Sequence, residues 1–134
     1  MSKSLLLVPV LVLVAAADSP KGDLKKLQGT WSLVSGQNDG NKIPEDDAKA
    51  ISLEIKGDKY LVKVRDESIE GTLKLDPTQK PKTIDAARAD GETLHGIYEL
   101  KDDEFRVSLA SAGQDRPKDF ASGDIIHVWK RARK

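Results

Sequence analysis

Two histidines, His95 and His127, are the only imidazoles in a chain of 134 residues that has no cysteine. Acid–base chemistry near neutral pH therefore rests on those rings, or on a tyrosine such as Tyr98 with a perturbed pKa. No serine sits in a Gly-x-Ser-x-Gly elbow, and no His-x-x-x-His pair or His/Cys cluster has zinc spacing. The acidic runs Asp46-Asp47 and Asp102-Asp103-Glu104 lack the alternating oxygen ligands of a calcium loop and read as turns. Gly40, Gly57, Gly91 and Gly113 stand alone, so nothing resembles a phosphate cradle. The residue inventory points away from an enzyme and calls for no metal and no cofactor.

Binding chemistry has better candidates. A pocket with Trp31 at its bottom would draw its polar orienting groups from Tyr98, Arg106, Arg116 or His127. Arg116-Pro117 with Phe120 would set a cation and an aromatic ring at a rim, suited to an anionic group. The competing reading makes Tyr98 a packed interior residue and Arg116 a pin for its own loop through Asp85 or Asp119.

These side chains need a scaffold, and the patterning supplies one. Ile51, Leu53 and Ile55 alternate with polar residues, Lys56-Gly57-Asp58-Lys59 turns the chain, and Tyr60, Val62 and Val64 alternate in reply: a hairpin. Further strands are predicted over Gly29–Ser35, Ser68–Asp76, Lys82–Ala87, Thr93–Leu100, a segment placing Phe105, Val107 and Leu109 on one face, and Asp124–Arg131. Asp23 is the expected N-cap of a short helix ending at Gln28, and Pro44–Lys49 has room for a helical turn. Eight short strands with one apolar face each cannot bury those faces as a flat sheet. The expected fold is an all-β, eight-stranded antiparallel, lipocalin-like barrel with a short N-terminal helix.

Gly29-x-Trp31 at the first strand and Arg131 at the last suggest how one end closes, with the indole as plug and the guanidinium stacked on it. Parity conflicts with this: Arg131 shares a face with Ile125, His127 and Trp129, while Ile126 and Val128 form the cleaner apolar face. A bulge or a barrel-end position would resolve the conflict. The inward candidates are mostly large and aliphatic, which favours a filled interior over a narrow apolar pocket.

Lys3, the apolar stretch Leu5–Val14 and Ala15-Ala16-Ala17 have the form of a signal peptide over residues 1–17, too short and too proline-interrupted to span a bilayer. Export to a periplasmic or extracellular compartment is expected, with one domain over residues 18–134. The chain carries 22 basic and 22 acidic residues. That balance implies neither nucleic acid nor a membrane surface as partner, and the basic end from Lys130 to Lys134 reads as a solvated strand terminus.

Four blocks in order, Leu27-Gln28-Gly29-Thr30-Trp31, Lys74-Leu75-Asp76-Pro77 followed by Lys80–Asp85, Gly96-Ile97-Tyr98-Glu99-Leu100, and Arg116–Phe120, resemble an uncharacterised lipocalin-like domain family of predicted exported proteins abundant in Planctomycetes. The resemblance covers Leu24 to Arg131 and implies a lipocalin-like barrel and export, but no activity. Many relatives would carry a cysteine near Ser108, and its absence here argues against a required nucleophile. The function expected is non-catalytic binding of a small apolar or amphipathic ligand. The alternatives are a protein-interaction or inhibitor module acting through the rim and the 111–123 loop, and an enzyme using His127 or Tyr98.

Overall fold

A computed structural model describes residues 19–132, so the leader expected over residues 1–17 lies outside the described residues. Helix α1 (Pro20–Leu27) begins earlier than expected, because Ser19 caps it by accepting from the Gly22 amide at 3.0 Å and Pro20 takes the first turn. Proline suits that position, where its missing N–H has no helical acceptor to satisfy. Asp23 is therefore not the cap. It lies inside the helix and turns into the protein, 1 % exposed.

The strands follow as β1 (Gly29–Asn38), β2 (Asn41–Lys42), β3 (Ile51–Lys56), β4 (Lys59–Val64), β5 (Glu67–Asp76), β6 (Lys82–Arg88), β7 (Thr93–Lys101), β8 (Glu104–Leu109) and β9 (Ile125–Arg131), with helix α2 (Glu45–Ala48) between β2 and β3. All neighbours pair antiparallel in chain order, and β1 also pairs with β9. The result is a closed eight-strand barrel, with β2 a two-residue hairpin arm on β1.

Stagger is visible in the long strands. The first half of β5 (67–72) pairs with β4 and the second half (71–76) with β6. On the other side, β1 gives Gly29–Ser32 to β3 and Trp31–Asn38 to β9. Such offset pairing is what closing a small barrel requires.

The register of β1 against β9 shifts between Leu33 and Ser35, leaving Val34 as the extra, exposed residue. That bulge resolves the parity conflict. Trp31, Leu33 and Gly36 oppose Arg131, Trp129 and His127, so the face with Ile125, His127, Trp129 and Arg131 points inward. The apolar-looking pair Ile126 and Val128 faces outward.

One end of the barrel is sealed. Trp31 is fully buried, its Nε1 donates to the Leu27 carbonyl at 2.9 Å, and the Arg131 guanidinium lies 4.3 Å from its ring centroid. Arg131 also donates through Nη1 to the Gln28 carbonyl and through Nη2 to the Lys26 carbonyl, at 2.9 and 2.7 Å. One cation thus satisfies carbonyls left over at the helix end while covering the indole. Gly29, at φ 120°, makes the turn from helix to strand in a region that side chains other than hydrogen avoid.

The end of α1 nearer Asp23 is tied separately. Its Oδ2 accepts from Tyr98 Oη at 2.6 Å and from Lys82 Nζ at 3.0 Å. A buried carboxylate is tolerable only with such partners.

Trp31→Ala should remove about 3–5 kcal/mol of unfolding free energy. In a double-mutant cycle with Arg131→Ala the two residues should show a coupling of about 0.5–2 kcal/mol. An unchanged melting temperature for Trp31→Ala would refute the sealing role.

Candidate functional site

The interior is not completely filled. A cavity of about 170 Å³ remains between the sealed end and the opposite end, where Ile69 is 38 % exposed. Its walls are almost entirely apolar, drawn from every strand from β3 to β9 and including Leu53, Val62, Ile84, Leu94 and Val107. The filled interior favoured by the aliphatic composition holds only for the sealed half. There Trp31, Phe105 and Tyr98 meet in aromatic contacts at 5.8 and 6.3 Å between centroids. Farther up, the short side chain of Ala86 leaves space that no neighbour fills.

Gly71 shapes this wall. A Cβ there would collide with the Ala87 carbonyl and come within 2.8 Å of the Tyr60 ring edge and hydroxyl. The absent side chain lets Tyr60 lie across β5 and face the cavity.

Of the six residues expected to bind a ligand, His127 alone lines this cavity. Trp31 sits behind Phe105, which forms the floor instead. Tyr98 is 1 % exposed at the sealed end, and its hydroxyl is engaged by Asp23. Arg106 alternates with Phe105 and Val107, so it points to solvent and pairs with Glu104 at 2.9 Å.

Arg116 takes the other role read from the sequence, a pin for its own loop through Asp85. The chain between β8 and β9 does not arch over the mouth; it runs along the outer wall. Arg116 donates to the carbonyls of Ile84 and Gly96 at 3.1 and 2.7 Å and to Asp85 at 2.9 Å, all on the outside of β6 and β7. Pro117 is buried, as are Ile97 and Ser108 on the outward faces of β7 and β8, which gives the barrel a patch of second layer. Ser108 Oγ has no hydrogen-bond partner there. Phe120 borders a second cavity of about 290 Å³ near the sealed end, together with Pro77, Pro81, Lys82, Tyr98 and Leu100.

His95 belongs to this outer layer too, its Nδ1 2.7 Å from Asp85 Oδ1. Burial would raise the Asp85 pKa, but the hydrogen bonds from His95 and Arg116 outweigh it and hold the carboxyl below its usual range.

Two further polar groups reach the cavity. Arg88 ends β6 and shares the inward face with Ile84 and Ala86, one residue past the Ala87 at which the sequence pattern ends this strand. Extending the period of two by one step from Ile84 would have found it. The Tyr60 hydroxyl is the other, its pKa raised by burial despite the nearby Arg88 charge.

His127 lies edge-on to Trp129 at 5.5 Å, and its Nε2 is 3.1 Å from Asn38 Oδ1. A Cβ on Gly36 would approach its ring to 2.9 Å, so the glycine leaves room for the imidazole. Burial without a carboxylate partner pushes the His127 pKa down to about 4, so the ring is neutral at physiological pH. The amide oxygen of Asn38 then accepts from Nε2–H.

No family model, no curated protein and no solved structure matches the chain. The architecture common to this structure and the expected resemblance is the eight-stranded barrel, and no family is identified.

Below pH 6.5 the unfolded chain protonates His127 while the folded one does not, so stability should fall as the pH drops from about 6.5 to about 4 and level off below. The full shift corresponds to roughly 3 kcal/mol, which solvent at the open end reduces to about 1–2 kcal/mol. His127→Leu should flatten the urea-denaturation profile over that window relative to wild type. An unaltered slope would show that the imidazole is not desolvated.

Proposed function

We propose that this chain is an exported, non-catalytic barrel that holds one small apolar or amphipathic molecule in its interior. The carrying observation is the apolar cavity of about 170 Å³, floored by Phe105 and sealed beneath by Trp31, Arg131 and α1. Cavities for drug-sized ligands run from about 300 to 1,000 Å³. This one is nearer the size of an apolar cavity that accepts benzene, which sets the scale of the group it would enclose. Aromatic rings and short aliphatic chains fit that scale.

A catalytic reading has weaker support. The paired histidine and carboxylate, His95 and Asp85, sit on the outer wall, while His127 in the cavity is bonded to an amide. The interaction reading is weakened by the same wall. Arg116 and Pro117 are spent on holding their own loop to the barrel.

Saturating 1-hexanol or benzene should raise the melting temperature by several degrees, as expected when about 1–2 kcal/mol of binding free energy is linked to folding. Ala86→Phe should fill the cavity and abolish that rise while the barrel still folds. Calorimetric scans with and without each compound make the comparison. A clean apo mass from the native host, together with no thermal response to either compound, would defeat the proposal.

A further inference from the structure

The cavity is not uniformly apolar at its open end, and the exception is a cation. Arg88 occupies the last position of β6, in register with Gly71, and lines the cavity with Tyr60 close by. Its Nε is buried and has no hydrogen-bond partner among the described residues. The nearest acids are Asp90 Oδ2, 3.8 Å from Nε, and Glu92 Oε1, 3.8 Å from Nη1, both beyond hydrogen-bonding distance and both more than half exposed. The Tyr60 hydroxyl likewise makes no hydrogen bond to any described residue.

A desolvated guanidinium N–H without an acceptor is costly, and proteins rarely leave one so. Arg106, Arg116 and Arg131 each donate at hydrogen-bonding distance to acceptors of this chain. Arg88 differs in presenting its donors where an apolar cavity meets solvent. Its planar fork matches a carboxylate in shape and charge, and the phenol beside it can donate as well. A neutral hydroxyl or carbonyl could accept from these donors but would leave the cation without a counter-charge. A carboxylate would meet the partly exposed end of the guanidinium without entering the dry interior.

We propose that Arg88 anchors the carboxylate of a small monocarboxylic acid whose aliphatic or aryl part fills the cavity. The inference rests on the interior-binding reading and adds a headgroup to it. Asp90 and Glu92 oppose the anion by partly neutralising the guanidinium, so they set the affinity rather than supply it.

The test is a titration of the full chain near neutral pH with hexanoate and with 1-hexanol, followed through the indole N–H resonance of Trp129, which lines the cavity. The wild type should prefer hexanoate by on the order of tenfold, the effect of one charge-assisted contact. Arg88→Gln should erase that preference by weakening hexanoate on the order of tenfold while leaving 1-hexanol within about twofold. The Asp90→Asn, Glu92→Gln double variant leaves Arg88 in place and should tighten hexanoate severalfold with no gain for 1-hexanol. It decides the matter should Arg88→Gln fail to fold.

Equal affinities in the wild type, a preference that survives Arg88→Gln, or an unchanged hexanoate affinity in the double variant would each overturn the anchor. Binding of 1-hexanol in those cases leaves the interior-binding reading standing. Silence of the Trp129 resonance to both compounds removes that reading and the anchor with it.

Discussion

The stack of Arg131 on Trp31 is the constraint on which the rest of the molecule depends. A barrel of eight short strands has two ends, and a single indole is wide enough to stop one of them only if something holds it in place. Arg131 does so from the last strand, by covering the ring at 4.3 Å and binding the Lys26 and Gln28 carbonyls that α1 leaves behind. The first strand, the last strand and the helix thus meet at one guanidinium. Their mutual positions follow from its geometry, because an arginine fork donates in fixed directions.

Sealing one end this way uses the large aromatic groups there. Trp31, Phe105 and Tyr98 interlock at the bottom, and Asp23 binds Tyr98 and Lys82 to hold the helix over them. Above them lies a cavity floored by Phe105, walled largely by aliphatic side chains with Ala86 among them, and bordered by Tyr60, His127 and Trp129. An apolar void of this kind has no polar groups to hold water in its depth, so an apolar occupant gains both contacts and dehydration. Polar character enters only where Arg88, Tyr60 and His127 approach it. Burial keeps His127 uncharged near neutral pH, so the charge at the cavity is the guanidinium of Arg88.

Arg116 shows how the barrel handles its longest connection. Fifteen residues without regular structure, 110–124, would ordinarily be mobile, yet the guanidinium reaches two strand carbonyls and Asp85, and Pro117 is buried. The loop becomes a second layer on β7 and β8, which explains why Ile97 and Ser108 are buried although they point away from the interior. A residue pattern that looks suited to anion capture here serves the protein itself. The carbonyls and Asp85 were nearer acceptors than any ligand.

The eight strands of the barrel, their order and the inward positions of β3, β4, β5 and β8 were legible in the residues alone, because period-two alternation and turn chemistry are local and each hairpin constrains its neighbour. The Trp31 and Arg131 pairing was legible in outline for a similar reason: a glycine before an indole and a cation at the final strand are specific in type. Other features were decided by tertiary structure. The bulge at Val34 chose which face of β9 turns inward; a single extra residue reverses parity, and no local preference marks it. Asp23 became a buried anchor rather than a cap because its partners, Lys82 and Tyr98, lie 59 and 75 residues away. The remaining volume of the interior is a difference between an enclosed space and the side chains that enter it, so it exists only once the sheet has closed. Local sequence could say which residues face inward, but only the closed barrel could say how much room they leave.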